Sequence, residues 1–417
     1  MRTVLSRPRL AAVLVAVLAA APATAYAVDA PTLERRLAEE SRKLGAASGA
    51  LVVDLDAGRE LFARREDRPR IPASNQKLLT TAAALLRFGP DAVLETTLRL
   101  APGTRIVRGT VGGDVFLVGG GDPALDDRDL RDMAAQLAEA GITRIRGGVV
   151  GDESLFDARR GGPRTGFRAD SDLGGWLGAL AWGHGRAWPD GPAVVAANRL
   201  QLFLKQAGIT VGRKARAGVL QDAPAGGGTA AQDDGTAAGL ILARTISPTM
   251  RQLAAITNQP SDNFYAEMLV KGLGARFGKA GSTAAGLAVV RAELVRFGIH
   301  PRLADGSGLS RANRVTPRQL VRLLERMANQ QIAPSWTASL ARFGSTGTLV
   351  RRLRGTAAAR RCAAKTGTIN RVSALSGYCT ARSGARIAFS FLENGVNPLA
   401  AKRIEDRMVR VIATYDG

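Results

Sequence analysis

The chain has 417 residues, of which 46% are hydrophobic and 23% are charged, so it has ample core material for two or three globular domains. Its net charge of +22 is carried mainly by arginines that are scattered along the sequence, and only 5% of the residues are aromatic. Scattered charge with few aromatic side chains argues against nucleic acid as a partner.

The N-terminus has the three parts of a secretory signal peptide. A segment with three arginines precedes an apolar run at residues 10–21, and Ala25-Tyr26-Ala27 is a small-x-small cleavage site. We therefore predict a signal peptide at residues 1–27 and an exported protein, with an uncleaved anchor as the alternative. In that compartment, the basic surface is suited to electrostatic contact with anionic envelope polymers.

The first predicted elements surround a Ser-x-x-Lys motif. Residues 31–44 have helical periodicity, and residues 49–56 and 60–64 are typical of paired strands. Ser74-Asn75-Gln76-Lys77 then opens an apolar helix at residues 78–88. Residues three apart share a helix face, so Ser74 is a candidate nucleophile and Lys77 its base. Alone, the motif is weak, because at a helix N-terminus it is usually just a cap beside a solvated lysine.

The pattern changes at residues 91–245, which we predict to be one or two small inserted α+β domains. Strands are indicated at residues 94–100, 104–111, 115–118 and 144–150, and helices at residues 127–140 and 193–207. Residues 161–190 are irregular, and the Gly/Ala-rich residues 223–238 are typical of a loop or linker. The main domain would then be discontinuous, at residues 28–90 and 246–417.

Two further motifs follow the insertion. Ser261-Asp262-Asn263 opens a predicted helix at residues 263–273. Lys365-Thr366-Gly367-Thr368 lies in the first of two predicted strands that are joined at Asn370-Arg371. Helices are also indicated at residues 250–256, 282–297, 316–328, 347–353 and 397–414. The order Ser-x-x-Lys, Ser-x-Asn, Lys-Thr-Gly is typical of penicillin-binding proteins and serine β-lactamases.

The separation of the first two motifs is too long for a compact β-lactamase. It resembles instead the D-alanyl-D-alanine carboxypeptidase/endopeptidase family, the low-molecular-mass class C penicillin-binding proteins. Residues 116–123, 151–157 and 305–311 resemble the same family. The resemblance implies an α+β fold, in which an antiparallel sheet is flanked by helices and the catalytic helix lies in the middle.

Each motif residue has an expected role in acyl transfer. Ser74 attacks the substrate carbonyl and Lys77 takes its proton. Lys365 supplies a second positive charge that would lower the pKa of Lys77, and it attracts a substrate carboxylate. Ser261 relays the proton to the leaving amine, and Asn263 holds Lys77 and the substrate amide.

The resemblance implies further substrate contacts. The backbone N–H groups of Ser74 and Thr368 would form the oxyanion hole. Gly367 would let the substrate backbone lie against the strand, while the hydroxyls of Thr366 and Thr368 bind the carboxylate. The family also binds a diaminopimelate side chain, and the positions that match are Asp152, Phe156, Arg311 and, more loosely, Asn370. Each of these four is also compatible with an ordinary turn, core or surface role.

Cys362 and Cys379 are equally far from the Asn370-Arg371 turn, which places them opposite each other in a hairpin. We predict a disulfide, with two buried free thiols as the alternative. The two histidines, His184 and His300, are isolated, so neither a Ser-His-Asp triad nor a histidine metal site is expected. No metal or cofactor is predicted.

The sequence thus predicts a serine DD-peptidase that acts on peptidoglycan stem peptides through a Ser74 acyl-enzyme. It would cleave D-Ala-D-Ala termini, D-Ala-diaminopimelate cross-links or both, and β-lactams would inhibit it covalently. A β-lactam-hydrolysing enzyme and a non-catalytic cell-wall binding module with a relic site are the alternatives. The oligomeric state is left open.

Overall fold

The computed structural model describes residues 28–187, 190–221 and 239–417. The predicted signal peptide and most of the predicted linker lie outside these residues. In the described part, no helix combines the length and the apolar character needed to cross a bilayer, and no cluster of three or more His, Cys, Asp or Glu side chains could hold a metal ion.

The helices, in chain order, are α1 (Ala30–Arg42), α2 (Gln76–Phe88), α3 (Asp127–Glu139), α4 (Pro192–Gln206), α5 (Met250–Asn258), α6 (Asn263–Phe277), α7 (Thr283–Arg296), α8 (Pro317–Ala328), α9 (Ala333–Ala338), α10 (Ala357–Arg361) and α11 (Pro398–Ala413). The strands are β1 (Ser48–Asp54), β2 (Arg59–Arg64), β3 (Glu95–Leu100), β4 (Ile106–Val107), β5 (Thr110–Val111), β6 (Val115–Val118), β7 (Arg144–Ile145), β8 (Val149–Asp152), β9 (Thr210–Val211), β10 (Arg216–Ala217), β11 (Ile241–Ile246), β12 (Ala341–Arg342), β13 (Cys362–Ile369), β14 (Val372–Thr380) and β15 (Arg386–Asn394).

The main sheet is antiparallel and is assembled from both ends of the chain. Its six strands are ordered β12-β13-β14-β15-β1-β2, so the first hairpin of the chain is added to the last. This is the α+β architecture that the sequence predicts.

Both faces of the main sheet are buried, because successive side chains in a strand point to opposite sides. On β15, Phe389 and Phe391 pack with α1 and α11, whereas Ala388 and Leu392 pack with the core that contains α2, α5, α6 and α8. Helix α2 is therefore enclosed between the sheet and other helices, and ten of its thirteen residues are buried.

The β13–β14 hairpin has the predicted register. Ile369 pairs with Val372 across the Asn370-Arg371 turn, and Cys362 pairs with Cys379. The two cysteines form a disulfide, as predicted.

One predicted helix is wrong. Residues 347–353 contain only the 3-10 turn Gly347–Leu349. Gly347 has a φ of +55°, and a Cβ there would lie 2.2 Å from the carbonyl oxygen of Gln259. Close packing of this turn against the end of α5 therefore replaces the helix.

The inserted region has two sheets of its own. One has the order β10-β8-β6-β3-β11 and the other β4-β5-β7-β9. Helices α3 and α4 pack on these strands in a separate hydrophobic core. This separate core supports the division at residues 91–245, which stays a prediction.

A buried carboxyl pair joins α11 to the main sheet. Glu405 of α11 accepts hydrogen bonds from the Ser373 hydroxyl at 2.6 Å and from Arg352 at 2.8 Å. Its neighbour Glu393 of β15 is fully buried. Burial and the negative charge of Glu405 raise the pKa of Glu393 well above its ordinary value of 4.5, which favours its protonated form.

We predict that the Glu393→Gln variant is less sensitive to alkaline pH than the wild type. The folded protein keeps a proton on Glu393 where the unfolded chain has lost it, so the free energy of unfolding decreases as the pH rises above the unfolded-state pKa. Glutamine keeps a donor but cannot titrate. The free energy of unfolding, measured with urea between about pH 5 and pH 8, should decrease less steeply with pH in the variant. The difference in slope should be up to about 1.4 kcal/mol per pH unit. The exposed Glu325→Gln is the control, and equal slopes in Glu393→Gln and wild type would contradict the prediction.

Candidate active site

Ser74 lies in a 3-10 turn, Ala73–Asn75, that leads directly into α2. Lys77 is in the first turn of α2, and its Nζ atom is 3.1 Å from the Ser74 Oγ atom. The turn is held by the loop at residues 305–310. A Cβ at Gly308 would lie 1.9 Å from the Ala73 carbonyl oxygen, so only glycine fits there. The Ser-x-x-Lys motif is thus a packed turn and not a solvated helix cap.

The Lys77 amine has three oxygen neighbours. Besides Ser74 Oγ, they are Asn263 Oδ1 at 2.6 Å and the Ser307 carbonyl oxygen at 2.8 Å. A neutral amine has two N–H groups and one lone pair. If Asn263 and Ser307 accept the two N–H groups, the lone pair faces the Ser74 hydroxyl, which is the orientation that a base requires.

Burial makes the neutral amine accessible near neutral pH. Lys77 is fully buried, and the loss of hydration lowers its pKa from 10.5 to about 8. Three neighbouring carboxyl groups act in the opposite direction and favour the ammonium form. They belong to Asp305, Glu267 and Asp262.

Glu267 and Asp305 are site residues that the sequence analysis missed. Glu267 Oε1 accepts the backbone N–H groups of Gly306 and Ser307, and burial followed by the charge of Asp305 raises the pKa of Glu267 to about 7. Asp305 accepts from Gly308, Ser310 and Asn313. Together they shape the loop whose Ser307 carbonyl contacts Lys77. Glu267 had a usable signal, because it lies one helical turn after Asn263 and its immediate neighbours Ala266 and Met268 are apolar.

Lys365 is not the main cause of the lowered pKa of Lys77. It is fully buried, and its Nζ atom donates to the Thr366 carbonyl oxygen at 2.9 Å. Burial and the positive charge of Lys77 lower the pKa of Lys365 well below 10.5. Burial, and not Lys365, is the first cause of the lowered pKa of Lys77.

Strand β13 lies directly against the Ser74 turn. A Cβ at Gly367 would be 2.8 Å from the Pro72 carbonyl oxygen and 3.1 Å from the Ser74 backbone nitrogen. The Thr366 hydroxyl is 2.7 Å from that of Thr348, while Thr368 is exposed. β12 pairs with β13 only at Ala363 and Ala364, so the strand edge beyond them is not paired by a described strand.

Ser261 and Asn263 flank the N-cap of α6. Asp262 is the cap, and its carboxylate accepts the Tyr265 backbone N–H. Ser261 has a φ of +70°, an unusual backbone conformation for a residue with a side chain. Within the described residues it forms no hydrogen bond with Ser74 or Lys77, so the structure brings Asn263, but not the Ser261 hydroxyl, into direct contact with them.

The inserted region reaches the active site through residues that the sequence analysis did not select. The Asn263 side-chain nitrogen donates to the Asp172 carbonyl oxygen at 2.7 Å. His184, which the sequence analysis treats as isolated, is 2.9 Å from the Asp262 carboxylate. An irregular Gly-rich segment offers no periodicity that would indicate these contacts.

The four predicted diaminopimelate contacts separate into two pairs. Asp152 is 1% exposed, and its oxygens accept the N–H groups of Ser154 and Leu220. Phe156 is buried in the core beside α6. Neither side chain is exposed in this structure, so their contact with a diaminopimelate side chain stays a prediction without support from burial. Arg311 and Asn370 are exposed and adjacent, with the Arg311 guanidinium donating to the Asn370 carbonyl at 2.8 Å.

The site combines a serine hydroxyl, a buried lysine amine and an open strand edge, and it lies between helices and an antiparallel sheet. This combination defines a serine enzyme of the penicillin-binding class. The sequence model of the D-Ala-D-Ala carboxypeptidase 3 (S13) family matches residues 30–173 and 190–415. The chain therefore belongs to this family of serine peptidases.

Named relatives agree with this assignment. A D-alanyl-D-alanine carboxypeptidase of Actinomadura sp. is 34% identical over 96% of this chain and 88% of its own length. Carboxypeptidase DacB of Mycolicibacterium smegmatis is 31% identical over 91% of this chain and 84% of its own. The crystal structure of penicillin binding protein 4 (dacB) from Haemophilus influenzae has a TM-score of 0.73 at 21% identity and covers 90% of this chain and 97% of its own.

We predict that Lys365→Met leaves the acidic limb of the acylation rate near pH 8, because methionine preserves the burial that lowers the pKa of Lys77. Glu267→Gln removes a nearby negative charge while keeping an acceptor for Gly306 and Ser307. The same limb should therefore move to lower pH in Glu267→Gln. Rates of acylation by a fluorescent penicillin across a pH series would measure both shifts. A shift of the acidic limb to higher pH in Lys365→Met would contradict this prediction, because it would show that the charge of Lys365 lowers the pKa of Lys77.

Proposed function

We propose that this protein is a serine DD-peptidase that cleaves peptidoglycan stem peptides through an acyl-enzyme on Ser74. The observation that carries the proposal is the buried Lys77 amine, which is 3.1 Å from Ser74 Oγ and has a pKa lowered to about 8. Such an amine can accept the hydroxyl proton as the Oγ–carbon bond forms. The substrate is a peptide that ends in D-Ala-D-Ala, a D-Ala-diaminopimelate cross-link or both.

The strand edge beside Ser74 is the proposed site for the substrate backbone. The unpaired part of β13 beyond Ala364 can receive an extended peptide. Gly367 lets this strand lie directly against the Ser74 turn, which places the peptide next to Ser74. In this arrangement the backbone N–H groups of Ser74 and Thr368 stabilise the oxyanion. Thr366, Thr368 and Lys365 are the proposed partners of the terminal carboxylate, whose negative charge would favour the ammonium form of Lys365.

The proton must then reach the leaving amine. As the carbon–nitrogen bond breaks, the proton on Lys77 is transferred to the departing D-alanine nitrogen, and we assign the relay to the Ser261 hydroxyl. Asn263 holds Lys77 through Oδ1 during this step. Water then attacks the acyl-enzyme, with Lys77 again as the base, and releases the shortened peptide. Arg311 and Asn370, at the exposed end of the hairpin, are the proposed contacts for a diaminopimelate side chain.

Of the two alternatives, a relic binding module is disfavoured by the intact hydrogen bonds among Ser74, Lys77 and Asn263. A β-lactam-hydrolysing enzyme has no specific observation in its favour, so we expect β-lactams to act as covalent inhibitors. We also propose that the enzyme works outside the cytoplasm. The N-terminal sequence pattern and the Cys362–Cys379 disulfide support export, and the net charge of +22 supports contact with anionic envelope polymers.

We predict that a penicillin forms one stable adduct with the protein, attached to Ser74. Opening of the lactam transfers the acyl group to Oγ, but the leaving amine stays attached to that acyl group. Its place is therefore not vacated for a water molecule that would hydrolyse the acyl-enzyme. Intact-mass spectrometry followed by peptide mapping should find the adduct on the Ser74 peptide and none in Ser74→Ala. The exposed Ser383→Ala is the matched control and should be labelled as the wild type is. An unlabelled wild type, or an adduct on Ser261, would refute the assignment.

A further inference from the structure

Residues 170–187 of the inserted region form a segment, which we call the strap, that crosses the N-terminus of α6. The strap contacts the Ser261-Asp262-Asn263 motif at two points. The Asp172 carbonyl oxygen accepts from Asn263, and the His184 ring is 2.9 Å from the Asp262 carboxylate. A Cβ at Gly185 would lie 2.6 Å from the Phe264 ring, so the strap packs directly on α6.

The His184 ring faces an oxygen acceptor at each nitrogen. Nε2 is 2.9 Å from Asp262 Oδ2, and Nδ1 is 3.2 Å from the Gly174 carbonyl oxygen. A neutral imidazole has only one N–H group, whereas the imidazolium has two. Only the protonated ring can donate to both oxygens at once. The ring also packs against Phe264 and Tyr265, with centroids 4.5 Å and 5.8 Å away.

We propose that His184, as an imidazolium, is a positioning residue that fastens the strap to the Ser261-Asp262-Asn263 motif. Through the strap it orients the Asn263 amide, whose nitrogen bonds to Asp172 while its oxygen bonds to Lys77. Deprotonation of His184 removes one of its two hydrogen bonds and loosens this support. The proposal rests on the proposed function, because it gives Asn263 a part in acyl transfer.

The other end of the strap is held by groups that stay charged. Arg164 forms ion pairs with Asp170 at 2.5 Å and with Asp172 at 2.6 Å. A guanidinium does not lose its proton in the physiological range. His184 is therefore the titrating attachment of the strap, and the hydrogen bond to Asp262 raises its pKa above 6.5.

Among the described residues, the titratable and charged side chains near His184 come from α6 and its cap, from the strap and from their neighbours. From α6 it faces Asp262 and the phenol of Tyr265, and burial raises the pKa of Tyr265, so the phenol stays neutral. Lys77 interacts with Asp262, and Asp122 and Asp126 interact with Tyr265. On the strap itself, Asp172 is paired with Arg164, and the exposed Arg186 lies two residues after His184.

Two carboxyl groups could be mistaken for His184 in a rate profile. Burial raises the pKa of both Asp122 and Glu267 to about 7. A pH–rate profile alone would not separate these groups from the imidazole. The test therefore needs a signal from His184 itself and a measure of its coupling to Asp262.

The direct signal is a histidine NMR titration of the full chain. With only two histidines in the sequence, the exposed His300 serves as an internal reference. We expect His184 to titrate above 6.5 and to return to this value or below in Asp262→Asn, since asparagine still caps α6 but carries no charge. Asp122→Asn should leave the His184 titration above 6.5. A His184 that titrates at or below 6.5 in the wild type would overturn the proposal.

The coupling is measured by the rate of penicillin acylation in His184→Asn, Asp262→Asn and the double variant. Asparagine tolerates the His184 backbone, whose φ is +62°, but is too short to reach Asp262. Near pH 6.5 His184→Asn should acylate roughly tenfold more slowly than the wild type, as for one lost charge-assisted hydrogen bond. The double variant should be no slower than Asp262→Asn, because His184 has no charged partner left to lose. Near pH 9, where a larger fraction of wild-type His184 is neutral, the difference should shrink.

His300→Asn is the matched control and should acylate as the wild type does. Additive losses in the double variant, or losses that are equal at both pH values, would overturn the role of the imidazolium. Failure of the proposed function looks different, because the wild type itself would then form no adduct on Ser74. In that case the NMR titration alone decides whether His184 fastens the strap.

Discussion

The burial of one amine determines how the rest of the active site is built. Lys77 can act as a base near neutral pH only if its ammonium form is poorly hydrated, and full burial in the first turn of α2 achieves this. A buried amine must in turn have hydrogen-bond partners. Ser74, Asn263 and the Ser307 carbonyl are these partners, and they come from three separate parts of the chain.

Each of these partners depends on a different element of the fold. The Ser74 turn lies between β13 and the loop at residues 305–310, and the contacts at Gly367 and Gly308 leave no space for a side chain. Asn263 depends on the cap of α6 and on the strap. The main sheet, which combines both ends of the chain, holds β13 in place. The site therefore combines residues that are far apart in the sequence.

Much of the site could be predicted because its chemistry lies in short motifs. Ser74, Lys77 and Asn263 were identified from residue type and order, and the symmetric spacing of Cys362 and Cys379 predicted the hairpin and its disulfide. The helix at residues 347–353 was predicted from local pattern alone, and long-range packing of Gly347 overrides that pattern.

The electrostatic predictions were less successful, because a pKa depends on burial that a sequence does not display. The sequence attributes the lowered pKa of Lys77 to the charge of Lys365, yet both amines are fully buried and burial is the larger cause. Asp152 and Phe156 were assigned to the substrate from resemblance, but each side chain is buried. His184 lies in an irregular segment, so its contact with Asp262 had no signal in the sequence.

Burial lowers the pKa of Lys77 to about 8, so that a usable fraction of the neutral amine is present near physiological pH, and this pKa can be measured directly. The chain has eight lysines, and comparison of ¹⁵N-lysine NMR spectra of the wild type and Lys77→Met would assign the Lys77 signal. A titration of that signal should give a midpoint near 8. A midpoint close to the ordinary value of 10.5 would contradict the account, because almost all of Lys77 would then be protonated at neutral pH.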